Sequence, residues 1–214
     1  MLYNKIRVDF KYGPKDRFYR ILLVREDIDL FSFCVGLGVI LGAEFEHCFL
    51  ITIPDSNRLE YVMAPFMEEM DGISQTRYLR NYTLCVLPDK FDFEYDTGEG
   101  WDFKCKKYKN SINRPFAGDF ILLDGKGLGI WEDNISSLYA LFDGDVDPNS
   151  SESNEEEGYY LPWNLDMEKY GDFDNSLNID EINESLNEMI SEAKDILVNQ
   201  EINYVKAYDI DTNY

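Results

Sequence analysis

Histidine is nearly absent from this chain: among 214 residues there is only His47. A Ser or Cys nucleophile would have to depend on that one side chain as its base, so most nucleophilic triads are excluded. Cysteine is equally sparse. Cys34, Cys48, Cys85 and Cys105 contain no Cys-x-x-Cys pair, and with a single histidine to help them they cannot build a structural zinc site. They read as buried reduced thiols, not as a disulfide framework. Positive charge is also scarce. Twenty Lys and Arg stand against 42 Asp and Glu, a formal net charge of −22, and a field of that sign disfavours direct nucleic-acid binding and anionic lipid. No run approaches the roughly 18 to 20 apolar residues of a membrane span. Lys5, Arg7 and Asp9 interrupt the start, where a signal peptide would need an unbroken apolar stretch. The expected location is cytoplasmic.

What the chain does have is apolar and aromatic residues. Hydrophobic residues make up 44% and aromatics 15%, too much for a disordered polypeptide. Ile6, Val8, Phe10 and Tyr12 alternate with Lys5, Arg7, Asp9 and Lys11, a half-buried strand, and Phe18 to Val24 supplies its antiparallel partner. Asp29 predicts the cap of a helix beginning at Leu30, which Gly36 and Gly38 weaken. Phe45 to Ile53 reads as a strand, and 59–88 gives no clear pattern. Phe91 to Asp96 and Trp101 to Tyr108 alternate around Thr97-Gly98-Glu99-Gly100, a hairpin whose turn uses glycines for positive φ. Phe120 to Leu123 is a short apolar run. A helix then begins at Glu132-Asp133-Asn134 and ends at Gly144.

The last part of the chain is the most acidic. Residues 151–214 carry 17 acidic and three basic side chains, a net of −14, against −8 for residues 1–150. Asn178 and Glu181 form a capping-box pattern. Ile179, Ile182, Leu186, Met189, Ile190, Ala193, Ile196 and Leu197 trace one apolar stripe. Together these readings predict an α+β fold, a single domain with a mixed or mainly antiparallel sheet, packed helices and a C-terminal amphipathic helix. The expected divisions are a core over 1–147, an acidic linker over 148–158, a helical segment over 159–200 packing on the core, and a tail over 201–214.

Four constellations invite chemistry. Asp92, Glu94, Asp96, Glu99 and Asp102 surround the hairpin as possible oxygen ligands for Mg²⁺ or Ca²⁺, but pairing with Lys104 and Lys106 across the strands explains them more simply. Gly125-Lys126-Gly127-Leu128-Gly129-Ile130 fits neither the dinucleotide fingerprint nor a Walker loop and reads as a turn. His47, between aromatic residues, is either a general base or a hydrogen-bonded structural residue. Glu181, Glu184, Glu188, Glu192 and Asp195 make a carboxylate stripe spaced about 5 to 6 Å apart. That stripe is either a solvated helix face or an imitation of a phosphate strand.

The order of these motifs resembles the plasmid pRiA4b ORF-3-like family. The resemblance rests on Phe18-Tyr19-Arg20 before an apolar strand; on Gly42, His47 and Phe49; and above all on Tyr95-Asp96-Thr97-Gly98-Glu99-Gly100-Trp101-Asp102-Phe103, where Phe103 replaces a histidine of the family signature. It continues with Asp124-Gly125-Lys126-Gly127, Glu132-Asp133, Trp163, Phe173-Asp174, Leu177 and Glu181-Ile182-Asn183. It implies the same one-domain α+β fold and a mobile-element association, and it brings no established reaction. The preferred expectation is a protein-binding role without turnover, with no cofactor and no bound metal. Candidate binding residues are Arg20, His47, Asp96, Glu99, Trp101, Glu132 and Asp133. The rival expectation is a carboxylate–metal enzyme using Asp96, Glu99, Glu132 and Asp133 with His47 as base. A third is an acidic nucleic-acid mimic that inhibits a host or defence protein.

Overall fold

In the computed structural model, residues 1–54, 59–63, 75–108, 112–113, 118–127, 129–145 and 177–208 are described. The acidic linker, Trp163 and Phe173-Asp174 lie outside the described residues, as does the end of the tail. The elements run β1 (Leu2–Phe10), β2 (Tyr19–Arg25), α1 (Leu30–Leu41), β3 (Phe49–Ile53), β4 (Leu59–Val62), β5 (Gln75–Tyr78), β6 (Lys90–Tyr95), β7 (Trp101–Lys107), β8 (Ile112–Asn113), β9 (Phe120–Lys126), α2 (Ile135–Asp143) and α3 (Ile179–Tyr208). Nine strands form one sheet in the order β5-β4-β3-β6-β7-β1-β2-β9, with β8 on β1. Every pairing is antiparallel except β4 with β5. This is a single-domain α+β fold.

Alternation decides which face is covered. Ile6, Val8, Phe10, Phe91, Phe93, Tyr95, Trp101, Phe103 and Cys105 are buried and share one core with α1 and α2. Their strand neighbours Lys5, Arg7, Asp9, Asp92, Glu94, Lys104 and Lys106 are half-buried or exposed on the other face. Asp92 stands opposite Lys104, as cross-strand pairing requires, whereas Glu94 stands opposite Asp102 and Lys106 opposite Lys90. Asp102 takes its cation from β1 instead, where Lys11 Nζ donates to it at 2.9 Å.

α1 begins where its cap predicts: the Asp29 carboxylate accepts the Ser32 N–H at 2.8 Å. Its two glycines are there for close packing. A Cβ on Gly36 would stand 2.2 Å from Phe120 Cζ, and one on Gly38 2.5 Å from Phe45 Cε1. Gly42 closes the helix in the left-handed region.

α3 crosses the free edge of β9. Leu122 N–H donates to Asn183 Oδ1 and Asn183 Nδ2 donates back to the Leu122 carbonyl, both at 2.8 Å. Asn187 repeats the pattern, with its Oδ1 accepting the Asp119 N–H at 3.0 Å and its Nδ2 donating to the Phe120 carbonyl at 3.4 Å. Two helix amides thus occupy strand groups that would otherwise invite another strand. The Asn178–Glu181 cap is present, with Asn178 Nδ2 donating to Glu181 Oε2 at 2.8 Å.

Three expectations need correction. The strand predicted from Phe45 starts only at Phe49, because Phe45 takes φ 64° and turns the chain. Met189 and Ile196 are exposed, so the buried stripe of α3 narrows to Leu186, Ile190 and Leu197. α2 begins at Ile135, leaving Glu132 and Asp133 in the loop before it. The region from 59 to 88, unpatterned in sequence, supplies the short parallel pair β4 and β5.

Candidate functional site

Three irregular segments meet beside the end of β6. The first, 43–48, joins α1 to β3 and carries His47. The second is the β6–β7 turn with Asp96 and Glu99. The third follows β9 and carries Glu132 and Asp133. Gly129 explains how the third segment gets so close: a Cβ there would stand 2.8 Å from the Leu41 carbonyl oxygen, and Ile130 N–H donates to that same oxygen at 2.7 Å. Gly129 therefore serves backbone approach between two segments, whereas Gly125 and Lys126, expected in a turn, belong to β9.

His47 lies at the centre. Its Nε2 is 3.0 Å from Asp133 Oδ1 and 3.9 Å from Glu132 Oε2, and its Nδ1 is 3.7 Å from Asp96 Oδ1. Donor atoms of His47, Asp96 and Asp133 all fall within 4.8 Å of one another. Each carboxylate is held by one end. Asp96 Oδ1 accepts the N–H groups of Gly98 at 3.0 Å and Glu99 at 3.2 Å. Glu132 Oε1 accepts the Tyr95 hydroxyl at 2.7 Å and the Glu44 N–H at 2.6 Å. The opposite oxygens, Asp96 Oδ2 and Glu132 Oε2, are buried with no hydrogen-bond partner among the described residues.

That arrangement is costly. Buried carboxylate oxygens ordinarily find donors, because desolvation without compensation costs on the order of 1 to 3 kcal/mol per group or more. Burial raises the Glu132 pKa, with the Tyr95 hydrogen bond working against it. Burial and the neighbouring Glu132 also push the Tyr95 phenol well above its ordinary value. The backbone is strained at the same place. Among the described residues four that are not glycine have positive φ, and three of them, Phe45, Asp96 and Asp133, line this site at 64°, 54° and 53°. Left-handed backbone is uncommon outside glycine, and such outliers gather at functional sites.

The remaining sequence candidates have other places. Asp96 does not share a face with Asp92 and Glu94, because its left-handed turn swings it inward to 4% exposure. The hairpin turn takes positive φ at Asp96 and Gly100, not at Gly98. Glu99 points away from His47; its Oε2 accepts the Ile135 N–H at 2.9 Å and caps α2. Trp101 is fully buried and 5.6 Å from Phe10 ring to ring. Its indole N–H, expected to be paired, has no partner among the described residues. Arg20 is 1% exposed, with its guanidinium donating to the carbonyls of Ile40, Tyr19, Lys126 and Gly127. Burial lowers its pKa to about 9, which leaves it a charged structural brace at neutral pH. Glu181, Glu184, Glu188, Glu192 and Asp195 are all exposed on α3.

Sequence reasoning missed Tyr95 and Glu44 as supports. Tyr95 carried a signal, since alternation puts its ring in the core and a buried phenol needs a partner. Glu44 carried none, because it contributes through its backbone.

A separate recess of about 500 Å³ lies by Arg7, Lys11, Lys15 and Tyr108. Its main charges are already paired, Arg7 with Asp9 and Asp16 and Lys11 with Asp102, unlike the carboxylate oxygens around His47.

Comparison with known proteins adds the fold alone. No protein-family model matches the chain, so the family resemblance rests on the residues quoted for it. No curated protein matches either. A solved structure that is similar is the protein of unknown function MM3350 from Methanosarcina mazei Go1. It has a TM-score of 0.55 at 14% identity, over 75% of this chain and 96% of that one. No helix among the described residues is long and apolar enough to cross a membrane.

Proposed function

We propose that the chain is a divalent-metal-dependent enzyme of hydrolytic type, working at His47, Asp96, Glu132 and Asp133. One observation carries this reading: Asp96 and Glu132, each held through one oxygen, have the other oxygen buried without a hydrogen-bond partner among the described residues, and an imidazole lies 3.7 Å from Asp96 Oδ1 and 3.9 Å from Glu132 Oε2. A cation supplies what those oxygens lack. When bound, such an ion acidifies a coordinated water and polarises a carbonyl-type substrate. His47, Asp96 and Asp133 hold it, Tyr95 and the Glu44 N–H fix Glu132, and Glu99 anchors α2 behind the loop. Three carboxylates against one doubly charged ion leave a net negative charge, with exposed Glu44 and Glu46 close in sequence. That balance favours a neutral or cationic substrate over a phosphate.

The test is calorimetric titration of MnCl₂ into metal-stripped protein, beside the Asp96→Asn/Asp133→Asn double variant. One ion per chain should bind the parent and not the variant. Saturation at about 100 times the dissociation constant should raise stability by about 2.7 kcal/mol. Absence of stoichiometric binding, or equal binding by the folded variant, would sink the reading. Ester and amide substrates can then be screened with and without Mn²⁺.

A second reading, binding of a basic protein partner, is supported by the exposed carboxylate stripe of Glu181, Glu184, Glu188, Glu192 and Asp195 on α3. It needs no metal and is independent of His47.

A further inference from the structure

We infer that the ion this site selects is zinc or a divalent transition metal and not Mg²⁺ or Ca²⁺, with the His47 imidazole as the discriminating donor. The inference rests on the metal-dependent reading above and adds to it the class of cofactor.

The argument begins with how few donors the site has. Calcium takes about six to eight oxygens and commonly uses a carboxylate through both atoms. Neither fixed carboxylate is free to do that. Asp96 Oδ1 is occupied by two backbone N–H groups at 3.0 and 3.2 Å. Glu132 Oε1 is occupied by the Tyr95 hydroxyl and the Glu44 N–H at 2.7 and 2.6 Å. Each therefore presents one oxygen. With Asp133 and one ring nitrogen the protein offers at most four donors, too few for a calcium cage; three of them, as at His47, Asp96 and Asp133, are the number that a catalytic zinc site uses while keeping a position for water.

Donor type points the same way. Magnesium prefers an all-oxygen octahedron and keeps much of its water. Imidazole suits Fe²⁺, Ni²⁺, Cu²⁺ and Zn²⁺, and the affinity of a given site generally rises from Mn²⁺ through Co²⁺ to Cu²⁺ and falls at Zn²⁺. The spacing is compatible as well: two donors about 2.1 Å from a tetrahedral ion stand about 3.4 Å apart, and His47 Nε2, hydrogen-bonded to Asp133 Oδ1 at 3.0 Å, is within a few tenths of an ångström of that separation. Asp96 is 4% exposed and its unpartnered Oδ2 is buried, so that oxygen is not a solvated surface charge. Cys48 neighbours His47 in sequence, but the donor atoms that converge are those of His47, Asp96 and Asp133, and its thiol is not among them.

The experiment uses the metal-stripped full chain with the chlorides of Mn²⁺, Co²⁺, Mg²⁺ and Ca²⁺, read by calorimetry, melting temperature and the visible spectrum of the Co²⁺ form. The parent should bind Mn²⁺ and Co²⁺ at least about tenfold more tightly than Mg²⁺ or Ca²⁺. Its Co²⁺ spectrum should show nitrogen and oxygen ligation without a thiolate charge-transfer band. His47→Asp, an all-oxygen site, should lose that preference by about tenfold or more while still binding a cation. His47→Gln serves as a second variant, and melting in chelator shows that each is folded. Equal affinity for Mg²⁺ and Co²⁺ in the parent, or an unchanged ratio in both folded His47 variants, overturns the inference and leaves a metal site standing. If none of the four ions binds, the inference fails together with the reading under it.

Discussion

Arg20 and the carboxylate recess lie at opposite ends of one loop and make opposite use of buried charge. Arg20 sits at its start, where its guanidinium spends its donors on four backbone carbonyls, two of them at Lys126 and Gly127. Glu132 and Asp133 sit at its end, where Glu132 Oε2 and Asp96 Oδ2 have no hydrogen-bond partner among the described residues. Both regions carry charge into the interior, and both depend on close backbone approach at a glycine, Gly127 against Arg17 and Gly129 against Leu41. A buried charge whose hydrogen-bonding capacity is met inside the protein belongs to the fold. One left short of partners, on strained backbone, is held for something the chain does not itself supply.

The largest expected effect tests the satisfied side. Arg20→Met keeps much of the stem but strips four carbonyls of a charged donor, and bonds to charged groups contribute about 1.5 to 3 kcal/mol each. Because these bonds are mutually dependent, we expect a loss of about 3 to 5 kcal/mol by chemical denaturation. A loss below about 1 kcal/mol would show that the brace is dispensable and remove the contrast.

Next comes Trp101, which separates packing from polarity. Trp101→Ala empties a fully buried site and should cost about 3 to 5 kcal/mol. Trp101→Phe should cost much less, about 1 to 2 kcal/mol, because the indole N–H it deletes has no partner among the described residues. If the Phe variant were as damaging as Ala, the indole N–H would have an acceptor after all.

The sign then reverses in the recess. Asp96→Asn keeps the Oδ1 that accepts the Gly98 and Glu99 N–H groups and replaces the unpartnered oxygen with a neutral amide. Asparagine also tolerates the left-handed backbone at φ 54°. In chelator the variant should be as stable as the parent or more so, by up to about 1 kcal/mol, while losing the stabilisation that Mn²⁺ confers. A clear loss of stability without metal would mean that Asp96 is structural, like Arg20.

How much of this was legible beforehand depends on the range of the interactions. The β1–β2 pair, the β6–β7 hairpin, the Asp29 cap and the Asn178–Glu181 cap are written in adjacent residues, through periodicity and turn chemistry, and the sequence shows them. His47, Asp96, Glu132 and Asp133 were each visible as candidates. Their meeting was not, because it depends on Ile130 N–H reaching the Leu41 carbonyl across some ninety residues, for which periodicity has no signal. The carboxylate alternation misled in one respect. It placed Asp96 with Asp92 and Glu94, and a single left-handed residue reversed that. The parallel pair of β4 and β5 escaped for a similar reason, since each strand is four residues long and their partnership is tertiary.

The smallest effect on stability concerns carboxylates that are neither braced nor buried. Glu184, Glu188 and Glu192 are exposed on α3, opposite the Leu186, Ile190 and Leu197 face. Reversing all three to Lys should alter folding stability by no more than about 0.5 kcal/mol per site, and easing repulsion in a chain of net charge −22 makes a small gain the expected direction. Metal binding at His47 should be unchanged, because no α3 carboxylate belongs to the donor cluster and exposed charges are screened over about 10 Å at 0.1 M salt. Affinity for a basic partner is what the reversal can move. A phosphate-mimicking face would lose a partner whose binding weakens steeply between 0.1 and about 1 M salt. Retention of such a partner at full strength by the reversed protein would make the stripe a solvated surface and leave the recess as the site where charge has a function.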